Sequence, residues 1–528
     1  MRKILLASAA MITATAGMAY AQERQDQIES AYSGVRPNAP VSAAGANNNN
    51  NIQAAATPGP TANPTPGTFV IRLGARVNVQ AGAGWSSLDN VSTAGTPASG
   101  GVLSLTPVGG AIPVGNTITG ITAAGVNSRS PVVAAVAGTG AKRNPYGIGT
   151  YMRLYPGLDA MATNGLRYGA GTEIRTNFGG NVSGGSGASS GETLFMRRAF
   201  IYAAGDKWGL VRIGQADGTI GLFDGGVATG QNWSNSGVLN GGDAQGITPG
   251  RAAIPFYWMA LAGNEYGSNK IVYVSPKLFG VEGSFTYAPA PGNNYSDGGT
   301  SPYTLTSNCA VAGSTCYGLS SSSVAGDASR YTDLYQAGFR YLNDVGPVNV
   351  RAYGVYVGSS QVSYTGVTPP GTVVGLYDNL GVWTGGAAAT YAGFTLSAAW
   401  IGGAMNGQFA LKPAGGANLN ATTVGLQYVT GPLTLGVTGS VDTAQGAGQL
   451  TTTQSLVGVT QLAERQISAG GRYVVAPGLA ISADYLFMQR RQNGYNFATN
   501  TINAKGAGFD TGSQVQAQTV LLGVAVNW

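Results

Sequence analysis

The sequence predicts an all-β protein: a transmembrane antiparallel β-barrel of sixteen strands. Three observations predict it. The chain repeats segments in which apolar and polar residues alternate with period two, the pattern of a strand with lipid on one face and water on the other. Eight long loops and seven short turns join these segments in strict alternation. No apolar run is long enough for a spanning helix, so a chain of this kind in a membrane must pair its backbone groups in a closed barrel. If Val102–Gly138 contains a further hairpin, the count becomes eighteen.

Composition narrows the function classes. Charged residues are 9% of the 528, against roughly 25% in ordinary soluble proteins. Glycine (84 residues) and small polar residues fill the space, and mean hydropathy is near zero at +0.05. Secreted solenoids share this composition, so the period-two pattern carries the fold assignment. Histidine is absent, which removes Ser-His-Asp and Cys-His catalysis and any His/Cys metal cluster. No close carboxylate pair lies in an inward-facing pattern. No Gly-rich segment follows a strand and opens a helix, and no basic run suits nucleic acid. An enzyme, a cofactor, a bound metal and a nucleic-acid partner are therefore not expected.

Arg2 and Lys3, the apolar run Ile4–Met18 and the small-x-small stretch Ala19-Tyr20-Ala21 read as a signal peptide over residues 1–21. Gln22–Gly67 reads as a disordered periplasmic linker, with the run Asn47–Asn51 and prolines 58, 60, 64 and 66. A plain tether and a peptidoglycan-binding segment both fit it. The barrel is expected over residues 68–528.

In Thr68–Ala81, Phe69, Ile71, Leu73, Ala75, Val77 and Val79 share one face, opposite Arg72, Arg76, Asn78 and Gln80. In Gly147–Tyr155, Tyr151, Arg153 and Tyr155 lie opposite Ile148, Thr150, Met152 and Leu154, and Pro156-Gly157 reads as the turn. Leu166–Phe178 places Arg167, Glu173, Arg175 and Asn177 inward. Thr193–Ala204 is apolar on both faces apart from Arg197 and Arg198, so its parity stays open. In Leu210–Gln215, Leu210 and Arg212 oppose Val211 and Ile213. The rhythm continues through the hairpins 270–287, 331–357, 380–401, 422–441 and 464–489 to a last strand, Gln516–Trp528. Strict alternation puts both termini on the short-turn side. The chain arrives from the periplasm, so that side is periplasmic. Cys309 and Cys316 are close in sequence in an exported chain, which suits a local loop disulfide; two free thiols are the alternative.

The stretch Glu192–Gly226, ETLFMRRAFIYAAGDKWGLVRIGQADGTIGLFDGG, resembles the fourth and fifth strands and the start of the third loop of Gram-negative outer-membrane general porins. The C-terminal face Val520, Leu522, Val524, Val526 and Trp528 resembles the terminal-strand signal read by the barrel-assembly machinery. That family usually ends in Phe, and Trp also suits an interfacial girdle. The resemblance implies an outer-membrane homotrimer set among membrane lipid and lipopolysaccharide. It also implies a third loop folded into the barrel and passive diffusion of small hydrophilic solutes. A substrate-specific porin for sugars or dicarboxylates remains open, as does an adhesin- or autotransporter-like surface protein.

If the third loop, Ala216–Ser268, folds inward, its Asp217, Asp224, Asp243 and Glu265, against Arg251, would face a wall of Arg72, Arg76, Arg153, Arg167, Arg175 and Arg212, against Glu173. Cations outnumber acids, so the resemblance implies a transverse field and weak anion preference.

Overall fold

The computed structural model describes residues 64–87, 146–175, 195–223, 269–289, 315–316, 331–361, 378–405, 412, 415–446, 448–450, 456–457, 461–497, 501–502 and 513–528. The signal peptide, nearly all of the linker, the 102–138 segment and Cys309 lie outside them.

Sixteen antiparallel strands form one closed barrel. They are β1 Thr68–Ser86, β2 Tyr146–Met161, β3 Arg167–Arg175, β4 Phe195–Gly205, β5 Gly209–Gln215, β6 Asn269–Val274, β7 Val281–Ala288 and β8 Tyr331–Val345. After them come β9 Val348–Gln361, β10 Gly381–Tyr391, β11 Phe394–Ala404, β12 Leu419–Thr430, β13 Leu433–Gln445, β14 Gln461–Ala476, β15 Leu479–Gln492 and β16 Gln514–Asn527. Each strand pairs with its neighbours in sequence, and β16 returns to β1. The seam is closed to the last residue: Trp528 and Ala75 exchange both backbone bonds, at 3.1 and 3.0 Å. Outside the wall, Thr315–Cys316 pairs with Gly448–Gln449, and Gln449–Leu450 with Leu456–Val457, joining the connection after β7 to that after β13.

The two faces separate as the alternation requires. Phe69, Ile71, Leu73, Ile148, Leu435, Val437, Leu522 and Val524 are exposed outward, while Arg76, Asn78, Gln80, Thr434, Thr438, Ser440 and Gln466 are buried inside. Exposed aromatics mark both ends of the outer wall. Trp208, Phe279, Tyr391, Phe394 and Tyr473 lie near the turns; Trp85, Tyr146, Trp383 and Trp400 lie near the loops. Phe394 stacks on Tyr428 with ring centroids 4.3 Å apart, and Tyr356 packs on Trp383 at 4.8 Å. Two aromatic belts flanking an apolar band are what a barrel in a bilayer presents.

Two elements differ from the sequence reading. Pro156-Gly157 is not a turn: β2 runs on to Met161, and the chain reverses over residues 162–166. Pro156 is accommodated because the β2–β3 register skips Tyr155 and Pro156, so no ladder donor is lost there. Asp159 therefore lies within the wall. The open parity of β4 has a cause as well. Glu173 pairs with Arg198 but Ile174 with Met196, which makes Arg197 the extra residue of a bulge. A bulge reverses parity within the strand, and no single alternation can describe it. The short turns fit their residues: Ala392 and Gly393 both have positive φ (47° and 83°), as a two-residue hairpin of the primed type requires.

The outer face of β16 gives a test. Leu522→Arg places a charge in the apolar band and is expected to destabilise the barrel by about 2–4 kcal/mol. The inward Thr519→Ser is expected to change stability far less. Denaturant titration of protein folded into lipid vesicles reads both.

Candidate functional site

The interior face of β1 to β9 carries most of the buried charged groups. At the turn end, Arg72 donates Nε to Asp159 Oδ2 at 2.6 Å and Nη2 to Oδ1 at 3.3 Å. Tyr202 on β4 donates its hydroxyl to the same carboxylate. Two glycines clear this path. A Cβ on Gly157, opposite Arg72, would lie 2.5 Å from Nη2, and one on Gly169 would lie 2.6 Å from the Tyr202 hydroxyl. Arg76 and Arg153, directly opposite one another on β1 and β2, are both buried. Arg167 lies nearer the turn rim, 3.9 Å from Asp206.

The centre of the site is Arg198. It is fully buried and bridges two carboxylates. Nε and Nη2 donate to Asp217 at 2.7 and 3.0 Å, and Nη1 donates to Glu173. Arg212, 4.8 Å over the Phe200 ring, donates to the Asp217 carbonyl. Lys270 on β6 donates to the Ala216 carbonyl at 2.5 Å. The chain thus leaves β5 at Gln215 and is held at once by three cations of the wall.

It then turns into the barrel. A short helix, α1 (Thr219–Phe223), lies buried against the inward faces of β7 and β8. The Thr219 amide donates to Thr286 Oγ1 at 2.9 Å, and the Thr219 hydroxyl bonds Ser284 at 2.8 Å. The Ile220 amide donates to Gln336 Oε1 at 2.9 Å. Arg340, ion-paired with Glu282, donates to the Leu222 carbonyl at 3.4 Å and lies 5.3 Å over the Phe223 ring. Polar wall residues thus take up the backbone groups that a five-residue helix leaves open at its ends.

On the opposite wall Arg490 donates to Glu464 at 2.5 Å, and Asp442, Asp484 and Arg472 also face inward. Among the described buried charges, Arg76, Arg153, Arg198, Arg212, Lys270, Arg340, Arg351, Lys412, Arg472 and Arg490 outnumber Asp159, Glu173, Asp217, Glu282, Asp442, Glu464 and Asp484. No group of three or more potential metal ligands occurs among the described residues.

Of the residues expected from sequence, Arg72, Arg76, Arg153, Arg167 and Arg212 lie on inward faces and Asp217 lies inside the barrel. Arg72 and Asp217 are already engaged in ion pairs. Arg175 closes β3, and nothing is described of its side chain. Asp224, Asp243, Arg251 and Glu265 lie outside the described residues. Sequence reasoning missed Asp159, Arg198, Glu282 and Arg340. The Glu282–Arg340 pair was legible: each stands between outward apolar residues (Val281 and Phe285; Phe339 and Tyr341), which fixes it inward.

The profile of the Gram-negative porin family matches residues 116–493 of this chain, and the chain belongs to that family. It is an outer-membrane porin, a channel for passive diffusion. Similar solved structures are porins. An anion-selective porin from Comamonas acidovorans is 14% identical, with 87% of this chain and 100% of that chain covered and a TM-score of 0.42. A mutant of the Rh. blastica porin is 12% identical, with coverage of 87% and 100% and a TM-score of 0.39. The loop L8 deletion mutant of OmpT, an outer membrane protein of Vibrio cholerae, is 9% identical, with coverage of 87% and 99% and a TM-score of 0.42. No curated protein matches this chain in sequence.

Arg198 gives the second test. Arg198→Ala removes the buried guanidinium that Glu173 and Asp217 share and is expected to cost about 3–5 kcal/mol. It should also loosen the first residues of the third loop and raise open-channel current noise. A variant as stable and as quiet as the parent would show that the remaining contacts suffice.

Proposed function

We propose that the protein is a general diffusion porin whose narrow zone lies where the third loop enters the barrel, with weak preference for anions. One observation carries this reading: the loop's first residues are held inside the wall by Arg198, Arg212, Lys270 and Arg340. The rest of the loop, with Asp224, Asp243, Glu265 and Arg251, would face Arg76, Arg153 and Arg175 across the opening. A field across a low-dielectric aperture orients dipolar solutes and disfavours apolar ones, which must displace ordered water without replacing its contacts. Nothing in this arrangement calls for an enzymatic step.

The oligomer follows from wall height. β5 and β7 have only seven and eight residues. At about 3.3 Å per residue and a tilt near 40°, seven residues rise roughly 18 Å, below the ~25 Å apolar band of such barrels. A homotrimer would shield this low wall from lipid. Residues 1–21 would direct export to the outer membrane with insertion by the assembly machinery through the Trp528 strand. Residues 22–67 would serve as a periplasmic tether, and Cys309 would pair with Cys316.

Planar-bilayer recordings test the channel. Deleting Gly225–Gly246 is expected to raise single-channel conductance, and an unchanged value would count against insertion. Replacing Arg76 and Arg175 by Ser should move the reversal potential in a salt gradient toward cation preference; no shift would mean these side chains do not line the narrow zone. Saturable flux would favour a substrate-specific porin instead. Chemical cross-linking and migration before and after boiling read the trimer.

A further inference from the structure

We infer that the connection after β15 is a second inserted element, which narrows the loop end of the channel and limits the size of solute that enters, with Tyr495 and Phe497 as the residues that seat it. At the loop end of the wall, Leu462 on β14 and Val515 and Ala517 on β16 are apolar yet share the parity of the inward Glu464, Gln466 and Thr519. In a water-filled lumen such a patch gains by being covered, at about 25 cal/mol for each Å² of apolar surface removed from water. Tyr495 and Phe497 cover it. The five side chains form one cluster, each at most 2% exposed. The two rings meet edge to face with centroids 5.0 Å apart.

The backbone delivers these rings to the patch. The Gln492 amide, at the end of β15, still donates to the Ser513 carbonyl at 3.0 Å. The chain then reverses through Asn493-Gly494, where Gly494 takes a φ of 72° that glycine adopts without strain. Tyr495–Asn496 pairs with Thr501–Ile502, so the segment is a small hairpin of its own and not an extension of the wall. Arg490, which donates to Glu464, lies 5.4 Å over the Phe497 ring and holds it by the ring face.

The third loop and this hairpin enter from opposite walls. β7 and β8, which carry α1, stand eight strands from β15 and β16 in the ring of sixteen. Their depths differ as well. Leu462 lies fourteen residues from the turn end of β14, whereas Thr286, which anchors α1, lies five from that of β7. At about 3.3 Å per residue and a tilt near 40°, the aromatic seat is roughly 20 Å nearer the loop end. A solute entering from the loop end meets the hairpin first and the third loop second. The two are held by different chemistry. Ion pairs and amide bonds fix the start of the third loop, while Tyr495 and Phe497 rest on aliphatic side chains and on an arginine already compensated by Glu464. Such a seat selects by size and leaves ion preference to the deeper arginines. This size filter presupposes the channel and is separate from the narrow zone at the third loop.

Liposome swelling with a graded series of uncharged sugars, from a pentose to oligosaccharides, tests the filter alongside planar-bilayer recordings. The double variant Y495S/F497S is expected to raise the swelling rate for the largest permeant sugar, relative to the pentose, by about threefold or more, with the reversal potential in a salt gradient unchanged. The conservative Y495F/F497L keeps the apolar contact and is expected to keep the wild-type ratio. A wild-type ratio in Y495S/F497S overturns the inference, and so does a shifted reversal potential with the ratio unchanged. Hydroxyl-radical footprinting needs no variant. In the folded wild-type protein Tyr495 and Phe497 are expected to oxidise about tenfold more slowly than in the denaturant-unfolded chain, and equal rates overturn the seating. Wild-type swelling with the pentose reports separately on the channel itself.

Discussion

A backbone in hydrocarbon has no water to bond its amides, and this constraint orders the rest of the molecule. Every strand must have a neighbour on both sides, so the last must meet the first. The bonds between Trp528 and Ala75 complete that closure at the end of the chain. Closure then dictates side-chain chemistry. Residues of one parity meet lipid, as Val520, Leu522, Val524 and Val526 do; residues of the other parity meet the interior, as Thr519 and Val515 do. Because backbone pairing accounts for the wall, the interior can hold polar and charged residues that no ordinary core would accept.

Those interior charges are organised by compensation. Arg198 is placed between Glu173 and Asp217, Arg340 beside Glu282, Arg72 beside Asp159 and Arg490 beside Glu464. Pairs of this kind contribute little net stability compared with apolar residues of similar volume, but breaking one is costly, so their clearest effect is to fix position. The Arg198 and Arg340 pairs act at the two ends of the same short segment. One holds Asp217 at the exit from β5, and the other holds Leu222 where α1 ends. Loop entry is thus specified by the wall as well as by the loop.

The barrel was legible in the sequence because a period of two, sustained over strand after strand, requires a sheet with two unlike faces. β1, β5, β13 and β16 could be assigned face by face from their side chains alone. What escaped depends on tertiary pairing. Pro156-Gly157 carries the local chemistry of a turn, yet the interrupted β2–β3 ladder lets it stay in a strand, and that hid Asp159. Arg197 and Arg198 occupy a bulge, and parity through a bulge cannot be read from one strand. Arg198, the residue on which loop entry depends most, was therefore the one whose direction the alternation could not supply. The wall arginines Arg76, Arg153 and Arg212 were recognisable because regular alternation brackets each of them.

The low wall and the inserted loop have one origin. The chain abandons β5 after seven residues, because the carbonyls of Ala216 and Asp217 are already claimed inside the barrel by Lys270 and Arg212 respectively. β6 pairs with β5 over Asn269–Val274, and extending β5 upward would carry the loop's first residues back out of the lumen. A barrel that draws a loop inward at this point must therefore end low there. Loop entry and the height of the wall are in this way two consequences of where β5 stops.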